Sequence, residues 1–181
     1  MIKPAFLLRG WMEKLWSPWR TQYIDSFKFK DKNKKEACVF CELAKENHEE
    51  PDNLVVDKGR LTFTVLNLFP YNNGHLMIVP FRHTSDFSSL NNEEKIEVMD
   101  KLQLAEEALK IVSSPEGFNI GANVGRVSGA GLDSHIHFHI VPRWNGDTNF
   151  MPVLGEVKII SQDLLDTKKK LFEAFKKLKK K

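Results

Sequence analysis

Three histidines of this 181-residue chain stand at alternate positions in the stretch SHIHFHIVPRW, residues 134–144. Side chains of a β-strand point alternately to its two faces, so His135, His137 and His139 would share one face, about 6.5–7 Å apart. The apolar residues between them would face the core. Such a row would not stabilise the fold, because neutral imidazoles need hydrogen-bond partners and charged ones repel each other. It therefore indicates that the histidines have a chemical role.

Two chemistries fit the alternating histidines. Neutral imidazole is well populated at pH 7, because its pKa is about 6.5, and it can attack phosphorus to form a covalent intermediate. Alternatively, histidines two residues apart on a strand can share a metal ion, as in zinc sites with three histidine ligands. A surface strand with histidines by chance is the third interpretation, and the strict apolar alternation of the opposite face disfavours it.

A glycine-rich turn, GRVSGAG, stands just before the histidine stretch. Gly125, Gly129 and Gly131 fall within these seven residues, and glycines let backbone N–H groups converge on an anion without interference from a Cβ atom. The turn could equally be a flexible hairpin loop. Its position next to the histidines favours a phosphate-binding role.

The two cysteines of the chain form a CVFC knuckle at Cys38 and Cys41. Redox pairs of this spacing usually open a helix inside a βαβ pattern, which the sequence does not show. Structural zinc requires four nitrogen or sulfur ligands at tetrahedral corners, so a metal site is the favoured interpretation. It also agrees with a reducing, cytoplasmic location.

The elements that must position these residues are predicted from hydrophobic periodicity. Alternating or apolar runs predict strands at NLVVD, LTFTVLN, HLMIVP, FNIGAN and HIHFHIVP. Three- and four-residue steps predict a long helix through LNNEEKIEVMDKLQLAEEALKIV, with Asn91 and Glu94 as a capping box. A short helix is predicted at CELAKE, and a last helix capped by Ser161. The sum is an α+β fold: a mainly antiparallel sheet with one long helix packed on it, plus a C-terminal helix.

Charge and composition narrow the class of partner. Residues 168–181 carry eight lysines and one glutamate, so the other 167 residues hold a net −4 of the overall +3. This distribution argues against a basic body that grips nucleic acid. The lysine-rich end is interpreted as a solvated helix end, with contact to polyphosphate or nucleic acid as the alternative. No apolar run approaches the roughly 20 residues of a membrane span.

The stretch His135 to Val141 resembles the motif His-φ-His-φ-His-φ-φ, with φ apolar, of the histidine triad family of nucleotide hydrolases and transferases. The resemblance runs from Cys38 to about Pro152 and includes CVFC, LNLFPYNNGHLMIVPFRH and SHIHFHIVPRWNGDTNFMPV. LWSPWR before the knuckle and PRWNGDTNF after the triad resemble the bacterial branch that includes diadenosine tetraphosphate phosphorylases and hydrolases. The resemblance also implies that Met12 is the native start. The predicted organisation is an irregular arm at 1–35, a histidine triad domain at 36–160 and a basic helix at 161–181.

The resemblance implies a role for each candidate residue. His137 would be the nucleophile on the α-phosphorus, His139 would contact the α-phosphate or bridging oxygen, or only orient His137, and His75 would support the triad. Asn67 would touch the ribose and Asn123 the phosphate end, although each could equally be an ordinary amide at a strand end. Gly129 and Gly131 would offer backbone N–H groups to the phosphates. Ser134 would donate to a phosphate or face solvent, and Trp144 would close over a purine or pack at a subunit contact. A structural zinc would be held by Cys38, Cys41, His83 and His135, while His48 remains a surface residue.

The function predicted from this resemblance is cleavage of dinucleoside polyphosphates, with diadenosine tetraphosphate as the best substrate, through a nucleotidyl-histidine. The second acceptor stays open between phosphate, which yields ADP and ATP, and water. Ala130–Gly131 departs from the glycine and serine of some phosphorylases of the branch. A nucleoside phosphoramidase, a zinc metallohydrolase and a noncatalytic nucleotide-binding module are the alternatives. The family also implies a homodimer, no organic cofactor and a substrate that can enter as its magnesium complex.

Overall fold

The computed structural model of the protein describes residues 37–148, 160 and 162–180. Its elements in chain order are helix α1 (Val39–Leu43), strands β1 (Val55–Lys58), β2 (Thr62–Leu66) and β3 (Leu76–Pro80), helix α2 (Asn92–Ser113), strands β4 (Gly117–Ala122) and β5 (Phe138–Arg143), and helix α3 (Leu164–Leu178). Short 3₁₀ turns lie at Phe87–Ser89 and Arg126–Ser128. The predicted arm at 1–35 and Ser161 fall outside the described residues, and the division into three segments stays a prediction.

The five strands form one sheet in the order β1-β2-β3-β5-β4, and every neighbouring pair is antiparallel. The predicted α+β architecture is therefore confirmed. Every residue of β2 and β3 is buried, because the sheet is covered on both faces in its middle. The long crossing from β4 to β5 carries the glycine-rich turn, which places that turn at the sheet end where β5 begins.

Helix α2 covers one face of the sheet. Its Val98, Leu102, Ala105 and Leu109 recur at helical spacing and are all buried in the main core cluster. The predicted capping box is present: the Asn91 side chain accepts from the backbone N–H of Glu94, whose carboxylate accepts from Asn91. None of the helices in the described part of the chain is long and apolar enough to cross a lipid bilayer.

The opposite face of the sheet carries a second apolar cluster under helix α1, which contains Phe40, Val55, Phe63, Val65, Met77 and Val79. Helix α1 begins at Val39, not at the predicted Cys41. The backbone N–H of Glu42 donates to the carbonyl of Cys38, so the helical turn already forms within the knuckle. Cys38 therefore precedes the helix as its N-cap, and Cys41 lies inside it.

Helix α3 packs on α2 and β1 and adds Leu171, Ala174 and Phe175 to the main core. The predicted Ser161 cap is wrong. Asp163 is the N-cap, because its carboxylate accepts from the backbone N–H groups of the first turn.

The lysine-rich end is not wholly solvated. The ammonium of buried Lys168 donates to the carbonyls of His48 and Glu50, at 3.0 and 2.6 Å. Lys179 pairs with the buried Asp57. His48 is correspondingly half-buried, with its ring 5.8 Å from that of Phe172, rather than the predicted surface residue. These lysines fasten α3 to the body of the fold.

Candidate active site and metal cluster

The sequence predicted that all three triad histidines lie on one strand, but in the structure they do not. Pairing of β5 with both neighbours begins at Phe138, opposite Ile78 on β3 and Ala122 on β4. Upstream of this point the backbone N–H of Ile136 donates instead to the carbonyl of Thr84, at 2.6 Å. His135 and His137 therefore precede the strand and only His139 lies within it.

Leaving the sheet brings the imidazoles closer together than strand geometry would. The ring centroids of His137 and His139 are 4.8 Å apart with the planes at 77°. All three triad histidines are buried, with at most 8% of any of them exposed. The imidazole side of this segment is thus an interior surface, where each ring has a defined partner.

His137 is held by its own main chain. Its Nδ1 lies 2.9 Å from the carbonyl oxygen of His135. A carbonyl only accepts, so Nδ1 must carry the hydrogen, and the neutral ring has its lone pair on Nε2. Burial lowers the pKa of His137, partly opposed by this hydrogen bond, which favours the neutral ring at neutral pH. A buried neutral imidazole with an open Nε2 is suited to nucleophilic attack.

The hydrogen bond with His75 decides which ring nitrogen of His139 carries the hydrogen. The backbone N–H of Tyr71 donates to Nδ1 of His75 at 3.1 Å, so the hydrogen of a neutral His75 is on Nε2. That Nε2 lies 2.9 Å from Nδ1 of His139. His139 accepts there, and its neutral ring carries its own hydrogen on Nε2. One ring of the pair His137 and His139 is therefore arranged to attack and the other to donate.

Both rings line a cavity of about 360 Å³, a volume that suits a nucleoside or small nucleotide. Of the predicted substrate-binding residues, Asn67, Asn123 and Gly131 also line it. His75 does not; it lies fully buried behind His139.

Three of the predicted substrate-binding residues are not brought to the cavity. Gly129 ends the 3₁₀ turn with a φ of 90°, a conformation that favours glycine, and Ser134 is exposed. The indole N–H of Trp144 donates to the carbonyl of Ser113 at the end of α2, at 3.3 Å. This contact packs Trp144 against the end of α2 within the same chain.

The apolar wall of the cavity was not predicted from the sequence. It includes Phe40 and Leu43 from α1, Leu68 and Tyr71 from the turn between β2 and β3, and Leu132. The signal was present in NLFPYNN, where large apolar residues occupy a turn and are exposed in the structure. Exposed apolar groups beside a polar centre are typical of a ligand pocket.

A second cluster lies next to the triad and joins Cys38, Cys41, His83 and His135, with all four ligand atoms within 4.8 Å of one another. The Nδ1 atom of His135 is 3.3 Å from the sulfur of Cys38 and 3.7 Å from that of Cys41. The Nδ1 atom of His83 is 3.3 Å from the sulfur of Cys41 and 3.3 Å from Nδ1 of His135. Zinc bonds of about 2.0–2.3 Å place tetrahedral ligands about 3.3–3.8 Å apart, so the group fits a zinc ion.

The surroundings of the cluster also suit a cation. His135 is directed by the carbonyl of Pro80, 2.9 Å from Nε2, so Nε2 donates and Nδ1 faces the sulfurs. Burial, reinforced by the neighbouring Cys38 sulfur, raises the pKa of the Cys41 thiol. A zinc ion between the two sulfurs would stabilise their thiolate forms.

The comparisons with known proteins agree with this geometry. A family model described as HIT domain matches residues 47–146. An AP-4-A phosphorylase of Mycobacterium tuberculosis is 42% identical over 166 residues, which cover 90% of this chain and 84% of that protein. An adenosine 5'-monophosphoramidase of Schizosaccharomyces pombe is 28% identical over 109 residues, 60% of this chain and 76% of that protein.

Solved structures show the same fold. The structure described as a ZN-bound histidine triad family protein from Mycobacterium smegmatis has a TM-score of 0.64 at 23% identity, and covers 80% of this chain and 96% of that chain. The predicted histidine triad fold is thus confirmed. The knuckle cysteines precede the residues matched by the family model.

Proposed function

Because the chain belongs to the HIT domain family, we propose that it cleaves dinucleoside polyphosphates, with diadenosine tetraphosphate as its substrate, through a covalent nucleotidyl-histidine on His137. The observation that carries this proposal is the arrangement of His137, whose Nδ1 is tied to the His135 carbonyl while the ring lines the cavity. The relative of 42% identity named AP-4-A phosphorylase supports the substrate class.

The first step would be attack of Nε2 of His137 on the α-phosphorus. A phosphorus–nitrogen bond forms, and the bond from phosphorus to the bridging oxygen breaks. His139 would donate a hydrogen bond from Nε2 to the bridging oxygen, and ATP would depart as its anion while the adenylyl group stays on His137. Asn67, Asn123 and Gly131 line the cavity and would hold the nucleotide. In the second step an oxygen of the acceptor attacks the phosphorus and the phosphorus–nitrogen bond breaks. The adenylyl group passes to the acceptor, whose proton is released to solvent, and His137 returns to its neutral form.

Phosphate is the second acceptor that we propose, giving ADP and ATP in total; with water the products would be AMP and ATP. The test is product analysis after incubation of the protein with diadenosine tetraphosphate, with and without phosphate. We expect ADP and ATP in equal amounts when phosphate is present. AMP with ATP under both conditions would reassign the enzyme as a hydrolase. Binding without any product would contradict the enzyme and favour a noncatalytic nucleotide-binding module.

A phosphoramidase is the second candidate, because the Schizosaccharomyces pombe relative carries that name. It would use the same His137 attack but release an amine. Faster turnover of adenosine 5'-phosphoramidate than of diadenosine tetraphosphate would favour it. The metallohydrolase alternative has less support, since the metal cluster found among the described residues takes only His135 from the triad.

We further propose that the four-ligand cluster binds one structural zinc ion. Bound zinc would hold the knuckle against the segment before β5, leaving His137 and His139 to act on the substrate. Cys41→Ser should lower the zinc content from about one ion per chain, in line with four-ligand structural sites, and lower thermal stability. Full zinc content in the variant would contradict the assignment. Thiolate ligands also favour a reducing compartment such as the cytoplasm.

The remaining partners are proposed on chemical grounds. A polyphosphate substrate would enter as its magnesium complex, since Mg²⁺ is bound chiefly by phosphate oxygens and water.

A homodimer is proposed because β4 forms one edge of the sheet and leaves Ile120 53% exposed. The sequence of β4, GFNIGA, contains no charged residue or proline that would discourage pairing with another strand.

A further inference from the structure

We propose that Phe40 is a positioning residue for His137, and that the cysteine knuckle fixes Phe40 against the nucleophile. This inference rests on the proposed role of His137. It gives the metal cluster a second task beyond holding the chain together. The ion would set the orientation of a ring that it does not touch.

Phe40 stands between the two cysteines, in helix α1. A helix of five residues is too short to be stable alone, and Cys38 makes no side-chain capping hydrogen bond to its N-terminus. Helix α1 is held instead by the sulfurs at the metal cluster and by packing in the second apolar cluster, where Phe40 is 5% exposed and Val39 and Leu43 are partly buried. The position of Phe40 therefore depends on the cysteines on either side of it.

The Phe40 ring lies between a metal-cluster ligand and the nucleophile. Its centroid is 4.9 Å from that of His137, with the planes at 53°, and 5.6 Å from that of His135, edge to face at 84°. The hydrogen bond from Nδ1 of His137 to the His135 carbonyl fixes one atom of the ring but leaves its plane free to rotate. Phe40 on one side and His139 on the other restrict that plane.

Two routes connect the metal cluster to His137. One runs through the backbone of His135, whose side chain is a cluster ligand and whose carbonyl orients His137. The other runs through α1 to Phe40. Because attack requires alignment of Nε2 with the α-phosphorus, small rotations of this ring should affect the rate of the chemical step more than substrate affinity.

Phe40 also lines the cavity, so contact with the nucleoside is the competing role. The two roles predict different kinetics. A positioning residue changes the rate of adduct formation, whereas a nucleoside-contact residue changes the dissociation constant of the substrate. The spectroscopic state of the His137 ring separates them further, because it can be read without substrate.

The test compares Phe40→Leu with Phe63→Leu and Phe40→Tyr in the full-length, zinc-loaded protein. Phe63 is fully buried in the same apolar cluster but does not line the cavity, so its variant controls for loss of stability. We expect the single-turnover rate of adenylyl transfer to fall on the order of tenfold in Phe40→Leu, with substrate affinity within about twofold. Phe40→Tyr, which keeps the ring, should recover most of the rate.

Imidazole ¹⁵N spectra provide the second readout. The His137 signal should show one Nδ1–H form in the wild type and in Phe63→Leu, and should broaden or divide between forms in Phe40→Leu. Zinc removal from the wild type should produce the same change. An unchanged His137 signal in Phe40→Leu, or a loss of affinity at an unchanged rate, would overturn the proposal. If the wild type formed no adduct, the proposed function would fail, and the spectra would still decide the role of Phe40.

Discussion

The hydrogen positions on His75 and His139 are directed by two donors to Nδ1 of His75, the backbone N–H of Tyr71 at 3.1 Å and the side-chain amide of Asn67 at 3.2 Å. A backbone N–H can only donate, so Tyr71 makes Nδ1 of His75 an acceptor and leaves the His75 hydrogen for His139. The next hydrogen in the series, on Nε2 of His139, is the one available to a leaving oxygen. We therefore expect His75 to act on the reaction through His139, although it does not itself line the cavity.

Replacing His75 tests this series of donors. His75→Leu removes the donor that orients His139 and should reduce kcat by about 10²-fold, the lower range for loss of a hydrogen-bond donor to developing charge, with a smaller change in KM. His75→Gln places an amide N–H at similar reach and should retain more activity than His75→Leu. Equal activity in the two variants, measured by steady-state kinetics, would show that His75 contributes packing alone.

Asp147 joins the end of β5 to the turn before β3. It accepts two hydrogen bonds from Arg143, at 2.6 and 2.7 Å, one from Asn72 at 2.8 Å and one from the backbone of Trp144. The Arg143 guanidinium holds the pKa of this carboxyl well below its usual range. An aspartate with a lowered folded-state pKa stabilises the protein above its unfolded pKa of about 3.9 and loses that contribution as the pH falls toward the folded value.

Asp147→Asn should therefore destabilise the protein in a pH-dependent way. At pH 7 we expect a loss of about 1–2 kcal/mol, since Arg143 is partly exposed and solvent screens the pair. The difference from wild type should shrink between pH 4 and pH 2.5, where the wild-type carboxylate loses its advantage. Guanidinium unfolding curves at a series of pH values measure it, and a difference that stays constant across that range would contradict the assignment.

At the scale of elements, α3 is fastened by a buried lysine as well as by its apolar face. The ammonium of Lys168 donates to two carbonyls of the loop between α1 and β1. Lys168→Met keeps most of the apolar stem but leaves both carbonyls without this donor. It should lower the free energy of unfolding by about 1–3 kcal/mol.

Lys169→Met is the matched control for Lys168→Met, because Lys169 is the next residue of the helix and is exposed. We expect it to change the free energy of unfolding by less than about 0.5 kcal/mol. Equal effects of the two substitutions in denaturant unfolding would show that the lysine contacts do not fasten α3.

The elements that were predicted well are those whose signal is local. The three- and four-residue steps of α2 and its capping box depend on neighbours in sequence, and β1 to β4 were found within two residues of their observed ends. The first half of the triad stretch was predicted as strand because alternation is the same inside and outside a sheet. Strand β5 begins only at Phe138 because the backbone N–H of Ile136 donates to the carbonyl of Thr84, 52 residues away in sequence. No local pattern records this contact.

The candidate site shows the same difference between features that have a local sequence signal and features that depend on tertiary contacts. The identities of the triad, His75 and the four cluster residues were predicted from sequence, and the structure brings the cluster residues together. The burial of Lys168, the contact of Trp144 with Ser113 and the ring contact of Phe40 with His137 depend on tertiary packing. For Lys168 the lysine-rich composition even favoured the opposite interpretation, a solvated helix end.

At the scale of the whole molecule, the outer edge of β4 is where two copies could join. Pairing of this edge with that of a second chain would extend the antiparallel sheet and cover Ile120. Ile120→Lys places a charge at the edge and should shift the protein from dimer to monomer in light scattering coupled to size exclusion. Ile111→Lys, at a similarly exposed position on α2, is the control and should leave the mass unchanged. A wild-type monomer, or a dimer unaffected by Ile120→Lys, would contradict the proposed interface.

The proposed mechanism requires that Nε2 of His137 attack the α-phosphorus. Rapid quench followed by mass spectrometry detects the resulting adduct directly. The protein is mixed with diadenosine tetraphosphate without phosphate, quenched at early times under conditions that preserve phosphorus–nitrogen bonds, and digested. We expect one adenylyl group on the peptide that carries residues 134–143, located on His137 and absent from His137→Ala. Product release without any adduct, or an adduct on a different residue, would contradict it.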